Sequence, residues 1–254
     1  MQATLARTGS VCFEPRPGAA VRLICIPHAG AGATVFRPWS ARLSPWIEMV
    51  AVRLPGREGR HDAVPDHLRD LAAKITGELS DQLRAPYAVF GHSMGALIAF
   101  EMAHVARSRG LRPPLHLFVS GRSAPQLHRP SEPSRDHSLP RLAAELRRRE
   151  GTPELVLREP ALVAAYGRIL VDDLALCASY ECAERDRLSV PLSVLAGADD
   201  PETSAASLRA WRDQTSGPCR FHTFPGGHFF PATARPAVLA AIQADLGNTL
   251  YAVS

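Results

Sequence analysis

A serine hydroxyl becomes a nucleophile near neutral pH only when an imidazole can take its proton and an acid orients that imidazole. The stretch YAVFGHSMGALIAFEMA, residues 87–103, holds Ser93 in Gly91-His92-Ser93-Met94-Gly95, where an apolar run with the rhythm of a strand becomes one with the rhythm of a helix. A nucleophile on so sharp a turn takes a strained backbone conformation, and glycines two residues to either side remove side chains that would collide there. The hydroxyl then stands at the N-terminus of the next helix, where the dipole and unpaired N–H groups stabilise a developing oxyanion, the Met94 amide supplying one donor. The bland alternative is a serine that caps a helix.

Ten histidines could serve as the base. His228 follows FPGG (224–227) on the loop after the last predicted strand, where two glycines can turn an imidazole back over the strand ends. His222 lies inside that strand, His104 inside a helix and His92 within the elbow itself, and each reads as a packed or surface histidine. His28, at the end of the first apolar strand, is a rival, but it precedes the serine and breaks the expected order Ser, Asp, His. For the acid, AGADDPETS places Asp199 and Asp200 at a strand end; one could cap a helix starting near Pro201, and Asp200 is the preferred partner of the base. A second oxyanion donor should come from an early loop. CIPHAGAG (25–32) fits, because small residues let a backbone N–H approach the reacting carbonyl, and the Ala29 amide is nominated. Gly30 and Gly32 lack the spacing of a dinucleotide fingerprint.

These residues need elements to hold them. Apolar runs at 21–27, 47–53, 87–92, 115–120, 192–197 and 219–224 are rich in Val, Ile and Leu on both faces, as in buried parallel strands. Helical patterns at about 34–44, 66–83, 94–109, 203–215 and 233–246 alternate with them, which predicts an α/β chain with a mostly parallel sheet between helices, the α/β-hydrolase arrangement. Residues 125–186 break the alternation. They read as a helical insertion, a lid, with Ser138 before Pro140 as a helix start and a long helix from about Pro160 to Tyr180; plain core helices are the alternative. In that insertion Arg168, Asp172 and Asp173 fall in a stretch expected to border the substrate channel. All 254 residues are expected to form one domain.

The bulk properties exclude several classes. Hydrophobic residues at 46% and charged ones at 21% are ordinary for a globular chain, and no apolar stretch approaches the ~20 residues of a membrane span. The N-terminus lacks the long apolar stretch of a secretion signal and reads as a lead-in to the first strand, so a cytoplasmic enzyme is expected. Five cysteines form no CxxC pair and no metal-ligand spacing. The net charge of +4 comes from scattered arginines and forms no basic stripe, so neither nucleic acid nor membrane is an expected partner, and no cofactor or metal is called for.

With PHAGAG, LPGRE (54–58), FGHSMGALIAFE (90–101), LFVSGRSAP (117–125) and FPGGHFF (224–230) in this order, the chain resembles the type II thioesterases, free-standing editing enzymes of polyketide and nonribosomal peptide synthases. The resemblance spans about Arg22 to Phe230. It implies hydrolysis of acyl groups from the phosphopantetheine arm of acyl or peptidyl carrier proteins, with Ser93 as nucleophile, Asp200 as acid and His228 as base, and a monomeric enzyme is expected. The family commonly has PHAGG or PFAGG where this chain has His28-Ala29-Gly30-Ala31, an extra methyl beyond the oxyanion donor. Arg57 and Glu58 of LPGRE read as an ion pair or loop brace. In RLAAELRRR (141–149), four arginines against one glutamate suggest a docking face for an acidic carrier protein. The same triad would also serve a general carboxylesterase or lipase, and a non-catalytic binding protein on this scaffold would normally have lost a triad residue.

Overall fold

The computed structural model describes residues 9–132, 134, 136–148, 152 and 154–253. Its strands are β1 (Ser10–Val11), β2 (Val21–Ile26), β3 (Ile47–Val52), β4 (Tyr87–His92), β5 (Leu117–Ser120), β6 (Leu192–Gly197) and β7 (Cys219–Phe224). They form one sheet in the order β1-β3-β2-β4-β5-β6-β7, and every neighbouring pair is parallel except β1 with β3. The six apolar runs expected as strands are all strands. β1 was not expected, and its two residues are too few to show a period.

Alternation along each strand feeds two cores. Ile24, Ile26, Val50, Val52, Val89, Leu117, Val119 and Val194 point to one face. Leu23, Cys25, Met49, Ala51, Phe90, Phe118 and Leu195 point to the other. With both faces covered, the strands lose the polar alternation that a half-exposed sheet would show.

The helices are α1 (Arg37–Ser40), α2 (Leu68–Glu78), α3 (Met94–Ser108), α4 (Leu139–Arg148), α5 (Glu154–Arg158), α6 (Pro160–Ala178), α7 (Ala205–Arg209), α8 (Phe230–Thr233) and α9 (Arg235–Val253). α2 and α3 cover the first face, while α1 and α9 cover the second. The long helices expected at 66–83 and 203–215 are shorter: each gives way to a 3-10 turn, at 82–84 and 210–214. The helix expected near Pro201 begins at Ala205, because Ser204 and Ser207 form a reciprocal capping box there. At the head of α4 the Ser138 carbonyl accepts the Leu142 amide at 2.9 Å.

Between β5 and β6 lie α4, α5 and α6. Leu142 and Leu146 of α4, Val156 of α5, and Val163, Leu170, Val171 and Leu176 of α6 belong to the same apolar core as the first sheet face. The helices of the insertion are therefore packed into the core of the domain.

Candidate active site

The strand β4 ends and α3 begins around Ser93, whose backbone sits at φ 54° and ψ −112°. A positive φ in a residue with a side chain is strained, and here the surroundings impose it. A Cβ on Gly91 would collide with the Gly95 carbonyl oxygen, and one on Gly95 with the Ile26 carbonyl oxygen, so α3 can start hard against β2 and β4 only because both are glycine. The Ser93 amide donates to the Ser120 carbonyl at 2.8 Å, tying the elbow to the end of β5. Met94 is the first residue of α3, whose leading amides have no intrahelical acceptor.

The adjacent strands β6 and β7 bring the Asp200 and His228 loops together. Beyond their last pair, Gly197 with Phe224, the Ala198 amide donates to the Phe224 carbonyl at 2.8 Å and the Asp199 amide to the Gly226 carbonyl at 3.0 Å. This zipper points Asp199 into solvent and Asp200 inward. His228 Nδ1 lies 2.9 Å from Asp200 Oδ2, with both residues only 6% exposed. The other oxygen, Asp200 Oδ1, accepts the Glu202 amide at 2.9 Å, so one carboxylate both holds the imidazole and caps the turn. Burial raises the Asp200 pKa, but the bonds from His228 and Glu202 outweigh it and hold the carboxyl below its ordinary range. With Nδ1 engaged, His228 Nε2 is buried without a hydrogen-bond partner, and Glu202 Oε2 approaches it at 3.7 Å.

The loop after β2 carries the second nominated donor. Its Gly30 amide donates to Asp173 Oδ2 at 2.7 Å and its Ala31 amide to the His28 carbonyl at 3.1 Å. Among the described residues no acceptor is bonded to the Ala29 amide. Beside this loop opens a cavity of about 410 Å³, walled by Ala29, Gly30, Val35 and Phe229 on the sheet side. Leu146, Val156, Tyr166 and Leu170 form its wall on the insertion side.

The charges expected along the channel do not line this cavity. Arg168 is exposed, and Asp172 pairs with His137 at 2.8 Å. Asp173 forms a bidentate pair with Arg57 at 2.6 Å and 2.6 Å. The helix period separates Arg168 and Asp172 from Tyr166 and Leu170, while Asp173, on the same face as those two, is kept out of the cavity by its bonds to Arg57 and Gly30. LPGRE is a brace, as expected: Arg57 holds α6, and Glu58 accepts the Ala33 and Thr34 amides at 2.8 and 3.1 Å. Asp173 and Glu202 are the site residues the sequence did not single out for these contacts, since no motif marks either one.

The other histidines weighed as the base are engaged elsewhere. His28 lies edge-on to His92 and Phe229. His92 Nδ1 meets Ser120 Oγ at 3.0 Å, and burial, then the charges of His28 and His228, pushes its ring well below the usual range. Burial takes His104 down to about 3. His222 bonds Asp245 on α9. Among the described residues no cluster of three or more His, Cys, Asp or Glu could hold a metal, and no helix is long and apolar enough to cross a membrane.

A mostly parallel sheet with a strained serine between β4 and α3, and with the Asp200 and His228 loops beyond β6 and β7, is the fold of an α/β-hydrolase. Residues 21–246 match the thioesterase domain family, and the chain belongs to it. It is 39% identical over 215 residues to the gramicidin S biosynthesis protein GrsT of Aneurinibacillus migulanus, covering 84% of this chain and 83% of that one. Its fold is similar to that of the type II thioesterase BorB from the borrelidin biosynthetic cluster, with a TM-score of 0.85 and 35% identity over 96% of this chain and 100% of that one. YbtT, the type II thioesterase of the yersiniabactin NRPS/PKS pathway, gives 0.83 and 28% over 95% and 99%. The chain is thus a hydrolase of thioesters whose relatives are type II thioesterases of polyketide and nonribosomal peptide clusters.

Proposed function

We propose that this enzyme clears stalled or misprimed acyl groups from the phosphopantetheine arm of carrier proteins through an acyl-enzyme on Ser93. Ser93 Oγ attacks the thioester carbonyl as its proton passes to His228 Nε2, and the Met94 and Ala29 amides hold the oxyanion. Collapse breaks the carbon–sulfur bond, and the imidazolium returns the proton to the departing pantetheine thiolate. Water then attacks the acyl-serine with His228 again as base; the acid leaves and Ser93 regains its proton. No step calls for a metal or redox cofactor.

The observation that carries this reading is the Asp200 to His228 bond, which leaves Nε2 as the buried, uncommitted nitrogen. Relatives named for synthase pathways support the substrate class. The apolar cavity supports short saturated chains: each buried CH₂ contributes roughly 0.8 kcal/mol, whereas an unpaired carboxylate costs several kcal/mol. Malonyl-type extender units are therefore spared. Arg147 is exposed on α4 and suits an acidic carrier surface, while the Arg148 side chain and Arg149 lie outside the described residues.

Single-turnover hydrolysis of propionyl- and methylmalonyl-carrier protein, beside p-nitrophenyl esters, tests the proposal. The expected result is a preference for propionyl over methylmalonyl of more than about a hundredfold in kcat/KM. Equal or faster release of methylmalonyl would overturn the specificity, and preference for the simple ester would overturn the carrier-bound substrate.

A further inference from the structure

α6 does more than roof the cavity. Asp173, at 1% exposure, accepts three hydrogen bonds: from Arg57 Nη1 and Nη2, both at 2.6 Å, and from the Gly30 amide at 2.7 Å. Arg57, at 8% exposure, also donates to the Ala31 carbonyl at 2.9 Å. One carboxylate on α6 and one guanidinium from the loop after β3 thus grip the loop after β2 on either side of Gly30. Gly30 itself is at φ 80°, where a side chain would be strained and would also press on Leu170 of α6. At the loop's far end Glu58, the neighbour of Arg57, holds the Ala33 and Thr34 amides.

We infer that Asp173 and Arg57 are positioning residues for the oxyanion hole, fixing the direction of the Ala29 amide from the covering helix. This inference rests on the proposed reading in which Ser93 is the nucleophile and Ala29 a donor. The physical reason is geometric: an oxyanion donor stabilises charge only if it is already aimed, and Ala29 lies next to the residue whose amide Asp173 fixes. A hydrogen bond to an ionised acceptor is short and strong, so the 29–30 peptide plane is held at its Gly30 amide, while the preceding plane, which carries the Ala29 N–H, is held at its His28 carbonyl by the Ala31 amide at 3.1 Å. The same contacts constrain how the cover can move. Lifting α6 would separate a buried bidentate pair and leave two unpaired charges in the core, a costly state. α6 therefore belongs to the fixed wall of the site, and integrity of the cover and of the oxyanion hole are one property.

The test uses the full chain with three variants: Asp173→Asn, which keeps an acceptor for Gly30 but loses the charge; Asp173→Ala; and Arg57→Lys, which keeps the charge but not the fork. Active sites are first titrated with a fluorophosphonate. Kinetics with a propionyl N-acetylcysteamine thioester, affinity for an alkyl boronic acid that forms a tetrahedral adduct on serine, and amide exchange over residues 28–34 are then measured per active site. Expected are a fall in kcat of about 10- to 100-fold with KM within about threefold, boronate affinity falling in parallel, and faster exchange at 28–34. Asp173→Asn and Arg57→Lys should fall less than Asp173→Ala. If the alanine variant does not fold, the other two decide. Lost titre with normal kcat and boronate affinity per site would reduce the pair to a structural role and overturn the inference. A wild-type enzyme that takes neither fluorophosphonate nor boronate on Ser93 would instead overturn the catalytic reading beneath it.

Discussion

Two Ser, His and Asp constellations sit at opposite ends of the same sheet, and they differ in how far their polar groups are already bonded. At the carboxyl end are Ser93, His228 and Asp200. At the amino end His116 Nε2 lies 2.8 Å from Ser193 Oγ, and Ser193 Oγ donates to Asp245 Oδ2 at 2.6 Å. Asp245 also takes Arg220 at 3.0 Å and His222 at 2.6 Å, and His116 Nδ1 meets Thr249 Oγ1 at 2.8 Å. The second set has every group satisfied: both ring nitrogens of His116 have hydroxyl partners, and Ser193 is fully buried within β6. In the first set the ring is bonded only at Nδ1, and the serine is lifted off the strand by a strained turn. Residue types alone do not mark a site: the second set is taken up by its own hydrogen bonds, whereas in the first a ring nitrogen stays uncommitted.

The sharpest way to break this contrast is to cut both sets. Ser93→Ala and His228→Ala should each lower kcat/KM on a thioester by more than about 10⁴-fold, and Asp200→Asn by up to about 10⁴-fold. Asp199→Asn should cost at most about threefold, because that side chain faces solvent. Ser193→Ala should leave kcat per active site unchanged. Should Ser193→Ala abolish turnover in a folded, titrated enzyme, the assignment of the two sets is wrong.

Stability should show the reverse order. Ser193→Ala strips a partner from Asp245 and from His116 and should destabilise by about 1–3 kcal/mol in urea titration. Ser93→Ala should cost less, since it strips no buried charge of a hydrogen-bond partner.

Acid should expose the satisfied set next. Burial, then the charge of Arg220, against the raising effect of Asp245, leaves His116 at about 4, below its unfolded value of about 6.5. The unfolded chain therefore binds a proton that the folded chain refuses, and stability falls as pH drops from about 6.5 towards 4. His116 alone accounts for on the order of 3 kcal/mol of that fall. His116→Asn should flatten the slope by up to one proton over this window; an unchanged slope would remove His116 as its source. Asp245, held down to about 2 against burial by His222 and Ser193, adds a loss between about pH 4 and 2.

The smallest effect is expected at Glu202. At 3.7 Å from His228 Nε2 and 44% exposed, its charge is largely screened, so Glu202→Gln should change kcat/KM by less than about threefold, and by less still at high salt. A hundredfold change would make Glu202 part of the triad's machinery.

Local chemistry decided much of this protein in advance. Short apolar runs rich in Val, Ile and Leu on both faces dictated six strands of the sheet, and the glycines flanking Ser93 dictated the elbow, because sterics and burial act within a few residues. The order Ser, Asp, His limited the base and acid to loops after the last two strands. The sequence favours Asp200 over Asp199, but the reason the two differ lies in the zipper between residues 198–199 and 224–226, which leaves Asp199 outward and Asp200 inward. The pairing of Arg57 with Asp173, 116 residues apart, and of His116 with Ser193 and Asp245, has no local signature at all. Charges and polar groups of that kind find partners only once the chain is compact, because burial makes an unpaired one costly and rewards whichever opposite group the fold has brought within reach.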